Sequence, residues 1–105
     1  MAEENKYPLD YERRFGGVAK LYTKAGAERL KNAHVCVVGL GGVGSWAAEA
    51  LARTAVGRIT LVDLDNVAES NTNRQLQAMT GVYGKPKVDA TAERIHAINP
   101  LCDCR

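Results

Sequence analysis

The apolar positions of this chain fall into two short unbroken runs and two spaced series. Val35-Cys-Val-Val38 and Ile59-Thr-Leu-Val62 are runs rich in β-branched residues, and they predict strands over about 34–39 and 59–63. Val43, Ala47, Ala50, Leu51 and Thr54 recur at helical spacing and predict a helix over about 43–55 with that face inward, stopped by Gly57. Val88, Ala92, Ile95 and Ile98 predict a last helix, with Pro86 at its first position and Asn99-Pro100 at its end. Upstream, residues 9–32 read as short helices over 9–15, 19–21 and 25–31, broken at Gly16-Gly17. Residues 1–8, ending in Tyr7-Pro8, read as disordered.

The stretch 65–73 is polar and loop-like, and Ser70 or Asn71 is placed to cap a short helix through Arg74 to about Ala78. A turn follows over 81–84. A run that is apolar on both faces, like Val35-Cys-Val-Val38, belongs in the middle of a parallel sheet covered on both sides, so Cys36 reads as a small buried hydrophobe. Two strands are complete and a third begins near residue 101. The fold class is α/β, the N-terminal portion of a Rossmann-like parallel sheet with a crossover helix, preceded by short helices. Two strands cannot bury such a sheet. The chain therefore reads as an incomplete domain, with residues 34–100 as a βαβα nucleotide-binding core.

Composition narrows the setting. The 105 residues suffice for one small domain, and 46% hydrophobic with 25% charged residues suits a globular protein. A net charge of +2 without a dense basic run does not by itself imply nucleic-acid binding. No apolar run approaches the ~20 residues of a membrane span. The polar start Met1-Ala-Glu-Glu-Asn-Lys6 lacks the apolar core of a signal peptide, so a cytoplasmic location is expected. Cys102 and Cys104 form a lone C-x-C pair, which reads as a strand beginning with alternate side chains on one face rather than as a metal or redox motif.

The chemistry concentrates where the first strand meets the first crossover helix. Gly39, Gly41 and Gly44 have the spacing of a nucleotide-binding fingerprint between strand and helix, with Gly42 inside it. Their expected tasks are a tight turn, a close approach of backbone to phosphate, and tight helix–strand packing. Phosphates then sit on free N–H groups at the positive end of the helix dipole. Asp63 closes the second strand, 19 residues past Gly44, where a ribose-binding carboxylate is expected. Beyond it come Ser70-Asn-Thr-Asn-Arg-Gln75 and Gly84-Lys-Pro-Lys87. Arg74 can grip a phosphate through two parallel bonds, Lys87 supplies a compact charge, and Asn71 can orient an oxygen or an amide. Each alone is an ordinary surface residue. Together, after a nucleotide fingerprint, they point to charge developing on a triphosphate.

In these residues the chain resembles the ubiquitin-activating-enzyme-like adenylating superfamily, which includes the molybdopterin- and thiamine-biosynthesis adenylating enzymes. Gly39-Leu-Gly-Gly-Val-Gly44, Leu61-Val-Asp-Leu-Asp65, the Ser70–Gln75 segment and Gly84-Lys-Pro-Lys87 carry the resemblance. Arg14-Phe-Gly-Gly17 with Leu21-Tyr22, Gly44-Ser-Trp46 and Asn71-Thr-Asn-Arg-Gln75 resemble the tRNA threonylcarbamoyladenosine dehydratase branch in particular. The resemblance implies ATP-dependent activation of a carboxylate, cyclising the threonylcarbamoyl group at adenosine 37 of tRNA. It implies that Gly42 contacts the nucleotide and Asp63 the ribose, with Asn71, Arg74 and Lys87 around the phosphates. It implies a homodimer in which Arg14 reaches the partner's ATP. It also implies Mg2+, with a ligand expected after a later strand, beyond Arg105. Trp46 reads as packing beneath the glycine loop, and Asp65 as starting the loop by an Asx-turn.

Three other readings stay open on the residues alone. The wider superfamily also adenylates the C-terminus of a ubiquitin-like or sulfur-carrier protein. An NAD-dependent oxidoreductase explains the glycines and Asp63 but gives Asn71, Arg74 and Lys87 no task. A non-catalytic dimerisation or docking module would need neither Arg74 nor Lys87. Without the lid, metal ligand and substrate groove, residues 1–105 alone are expected to be inactive.

Overall fold

The structure is a computed structural model that describes residues 9–105, so the disorder expected for 1–8 lies outside the described residues. Helix α1 spans Tyr11–Lys31, β1 His34–Val38, α2 Gly44–Arg53, β2 Arg58–Val62, α3 Lys87–Ile98 and β3 Asp103–Cys104, with a 3-10 turn over Glu69–Asn71. The three strands are parallel in the order β1-β2-β3. Five residue pairs join β1 to β2, from His34↔Arg58 to Val38↔Val62, and Arg58↔Asp103 with Ile59↔Cys104 join β2 to β3. The expected α/β architecture and the third strand are both present.

Because the sheet grows in one direction and crossovers are right-handed, α2 and α3 both lie on the same face. Val37, Ile59 and Leu61 face them and form the core with Leu40, Ala48, Ala52, Val56, Ile95 and Cys102. The alternate residues of β1, His34, Cys36 and Val38, are exposed, Val38 to 76%. The expectation that β1 is covered on both faces, with Cys36 buried, is therefore corrected. Cys102 and Cys104 do share the covered face, and burial pushes the Cys104 thiol up to about 11.

Several boundaries move for local reasons. The helix runs through Gly16 and Gly17 and is interrupted at Thr23 instead (φ 70°, ψ 167°), whose hydroxyl accepts from the Gly26 N–H at 3.2 Å. A mid-helix glycine costs only about 1 kcal/mol, whereas a threonine hydroxyl offers the backbone a capping alternative. The buried face of α2 is Ser45, Ala48 and Ala52, and Val43 is 84% exposed. The predicted face is rotated because Gly44 must face β1: a Cβ there would lie 1.7 Å from the Gly39 carbonyl oxygen. Nor does Gly57 end α2. Ala55 takes the left-handed position (φ 64°), and Val56 N–H returns to the Leu51 carbonyl as in a Schellman motif. Gly57 instead presses on the Lys31 carbonyl, where a Cβ would also come within 1.7 Å. No helix runs from Asn71 to Ala78; the turn ends at Asn71, and turns follow. Pro86 caps α3 rather than opening it, and of the predicted face Ile95 is buried while Val88, Ala92 and Ile98 pack at the core's margin.

Candidate nucleotide site

The β1–α2 connection is held through both backbone groups of one residue, Leu40. Gly39 adopts φ 89°, which only glycine takes without strain, and its N–H donates to the Val62 carbonyl at 2.8 Å. Leu40, fully buried, donates its N–H to Asp63 Oδ2 at 2.7 Å, and its carbonyl accepts from Gln77 Nε2 at 3.0 Å. Asp63 Oδ1 accepts from the Asp65 N–H at 2.8 Å. The Asx-turn is thus made by Asp63, not by Asp65. The Leu40 N–H is the main cause holding the Asp63 carboxyl below its ordinary value, helped by the Asp65 N–H and the Lys87 charge against the opposing effect of burial. Each carboxylate oxygen keeps a lone pair for a hydroxyl donor.

Asp65 instead faces Lys87. Its carbonyl accepts from the Lys87 N–H at 2.9 Å, and Asp65 Oδ2 lies 4.0 Å from Lys87 Nζ. The Lys87 side chain is only 8% exposed while that of Asp65 is 78% exposed. A lysine with a buried stem, whose ammonium has its acidic partner only at the limit of ion pairing, has donors to offer an anion. That donor set suits a phosphate.

Arg74 lies across the glycine loop. A Cβ on Gly42 would sit 3.6 Å from Arg74 Cγ, so Gly42 packs on the arginine's stem. The exposed guanidinium bonds the Ser70 carbonyl at 3.1 Å and Asn73 Oδ1 at 2.9 Å, both uncharged partners. Asn71 Oδ1 accepts from the Ala68 N–H at 3.0 Å, so what it can offer a ligand is its Nδ2 donor. The Trp46 indole N–H donates to the Arg74 carbonyl at 3.0 Å with the ring half-exposed. It sits beside the loop rather than beneath it. Ser45 Oγ, buried, donates to the Gly41 carbonyl and accepts from the Leu76 N–H at 3.3 Å.

The structure therefore brings together Gly39, Gly41, Gly42, Gly44, Asp63, Asn71, Arg74 and Lys87 around the carboxyl ends of β1 and β2, where parallel sheets bind ligands. It does not bring Arg14 there. Arg14 Nη1 donates to the Ile98 carbonyl at 3.2 Å, at the opposite end of α3 from Lys87 and some 16 Å of helix away. It lines a cleft of about 420 Å³ with Phe15, Arg53, Arg94, Ala97 and Ile98. Glu49 bridges two of the cleft's lining residues, Arg53 and Arg94, at 2.8 and 2.6 Å, and the Arg94 bond is the chief cause lowering the Glu49 carboxyl's pKa. The parts of Ser45 and Gln77 are invisible to sequence reasoning, since their contacts cross 31 and 37 residues and no local pattern marks them. No cluster of three or more metal-ligating side chains occurs among the described residues. No described helix is long and apolar enough to cross a membrane.

With this geometry in hand, comparison with known proteins decides the family. The ThiF family profile matches residues 11–105. The chain belongs to the ThiF family. It is similar to the tRNA threonylcarbamoyladenosine dehydratase of Haemophilus influenzae, 53% identical over 89% of this chain and 36% of that protein. The dehydratase of Bacillus subtilis is 59% identical over 76% of this chain and 32% of its own length. The crystal structure of the Escherichia coli enzyme in complex with ATP superposes with a TM-score of 0.88 at 53% identity, covering 90% of this chain and 39% of that one. The chain thus spans about a third of the length of the curated relatives it matches.

Proposed function

We propose that this ThiF-family chain supplies the ATP-binding part of an enzyme that activates the threonylcarbamoyl carboxylate on tRNA and closes it into a cyclic form. The observation that carries the reading is the largely buried Lys87 side chain, its ammonium beside Asp65, on the same ligand edge as the glycine loop crossed by Arg74. ATP, when bound, supplies the adenylyl group that turns a carboxylate oxygen into a leaving group. The chain's own residues bind and orient it. Free N–H groups at the start of α2 meet phosphate oxygens. Asp63 accepts from ribose hydroxyls. Lys87 and Arg74 offset charge gathering on the attacked phosphorus, and Asn71 orients an oxygen through Nδ2. Magnesium accompanies the triphosphate.

The similarity to tRNA dehydratases at 53–59% identity favours that substrate over the tail of a sulfur-carrier protein. A nicotinamide-dependent dehydrogenase would leave Arg74 and Lys87 without a task. The remote placement of Arg14 supports its action in a partner subunit's site, which makes the working unit a homodimer.

The test is a chimaera in which residues 11–105 replace the matching segment of the E. coli dehydratase. It restores cyclisation on modified tRNA, and Lys87→Ala or Arg74→Ala lowers the rate by about 10²–10³-fold. Near-parental rates in both variants would make Lys87 a structural group and Arg74 a surface one. Mixing Arg14→Ala with Lys87→Ala subunits restores part of the activity; no recovery despite demonstrated subunit exchange places Arg14 outside the partner's site.

A further inference from the structure

The segment that carries Arg74 is fastened to the glycine loop at three points. The Trp46 indole N–H holds the Arg74 carbonyl at 3.0 Å. Two residues on, the Leu76 N–H reaches Ser45 Oγ at 3.3 Å, and that hydroxyl in turn holds the Gly41 carbonyl. One residue further, Gln77 Nε2 holds the Leu40 carbonyl at 3.0 Å. Thus Arg74, Leu76 and Gln77 each pair with a group in Leu40–Trp46, within the stretch expected to meet phosphate. Ser45 and Gln77 are almost wholly buried, so their bonds are shielded from competing water.

The rest of the 66–86 connection is less tied. Its two ends pair with each other in an isolated antiparallel bridge between Asn66 and Pro86, and Val67 and Ala78 pack in a small cluster against Ala90 of α3. The Arg74 guanidinium itself bonds only within this connection, to Ser70 and Asn73. Its position over Gly42 is therefore set by where its backbone is held, and the nearest such hold is the Trp46 indole.

We propose that Ser45, Trp46 and Gln77 are positioning residues that fasten the Arg74–Gln77 backbone to the glycine loop as one cooperative unit and thereby set the Arg74 guanidinium against the nucleotide's phosphates. The part concerning phosphates rests on the proposed function; the fastening does not.

Two experiments on the full chain separate these parts. In the nucleotide-free protein, hydrogen exchange read by NMR tests the fastening. Ser45→Ala removes the central bond with little change in volume. It accelerates exchange of the Leu76 amide and, because the unit opens together, of the Trp46 indole N–H, each by about tenfold or more. Acceleration at Leu76 alone, or at neither, overturns the cooperative unit. Calorimetric titration with ATP tests the positioning. Trp46→Phe keeps an aromatic ring at a half-exposed site but lacks the N–H. It weakens ATP by about three- to tenfold in the parental chain and by less than about twofold in an Arg74→Ala background. A structural contribution would not vanish when Arg74 is truncated. Equal losses in both backgrounds overturn the positioning role. If the parental chain shows no affinity for ATP, the proposed function fails, while the exchange experiment still decides the fastening.

Discussion

Gly44→Ala is the sharpest perturbation of this architecture. A Cβ at position 44 would stand 1.7 Å from the Gly39 carbonyl oxygen and 2.8 Å from its carbon. Ordinary contact begins near 3.4 Å, so α2 and the end of β1 would have to part by roughly 2 Å. Neither side can yield by a rotamer change, because both are backbone. Gly39 is tied to Val62, and the next residue, Leu40, to Asp63 and Gln77. Overpacking in a core costs about 1–3 kcal/mol when side chains can adjust, and a backbone clash belongs at the upper end or beyond. For a domain of this size ~3 kcal/mol lowers Tm by about 12 °C or more. Gly17→Ala is the matched control: its Cβ would meet nothing within 4 Å inside α1, so replacing a helical glycine there stabilises by about 0.5–1 kcal/mol. Thermal unfolding by circular dichroism, with ATP affinity measured alongside, gives the comparison. A Gly44→Ala chain that melts with the parent and keeps its affinity would refute the close packing of α2 on β1.

Other consequences follow from the same site. Lys87→Met keeps the buried stem but removes the charge, so stability holds or rises while ATP affinity falls at least about tenfold; denaturant unfolding that shows a loss above ~2 kcal/mol would make the ammonium a structural partner of Asp65. Asp63 has a depressed native pKa, so the stability it contributes is complete above the ordinary carboxylate value near 4 and is lost as pH falls through the lower native value. Exchange protection of the Leu40 amide should follow that acid limb, and the limb should be absent in Asp63→Asn; an unchanged limb would mean another group controls the loop. Gly57→Ala should destabilise about as much as Gly44→Ala, through the Lys31 carbonyl, yet leave ATP affinity at saturating protein stability unchanged, as thermal melts and calorimetry together would show.

Much of this was legible along the chain because it is written in local signals. Two apolar runs and a glycine spacing are enough for the β1–α2–β2 unit, and the acid at the end of β2 is Asp63 by position alone. The rest depends on geometry that sequence spacing cannot carry. The inward face of α2 is set by Gly44, a residue without a side chain, so a hydrophobic count places the stripe one residue off. Gly16-Gly17 looks like a break but is cheap inside a helix, while Thr23 breaks α1 with its hydroxyl. Cys36 and Val38 read as buried because the sheet was expected to be covered twice, and both described helices after β1 fall on one side. In the site, Arg74 and Lys87 were visible as charged residues in suggestive places. From sequence Trp46 reads only as packing, and the contacts that set Arg74's place, from Trp46, Ser45 and Gln77, join positions far apart in the chain.

A triphosphate site built from the glycine loop, Arg74 and Lys87, as proposed above, has a distinct signature in an amide-resolved NMR titration of this chain with ATP and, separately, with NAD. ATP should shift the amides of Leu40 to Ser45 together with that of Lys87, and NAD at the same concentrations should leave Lys87 unmoved. Shifts at the loop and at Lys87 with NAD, and none with ATP, would contradict it.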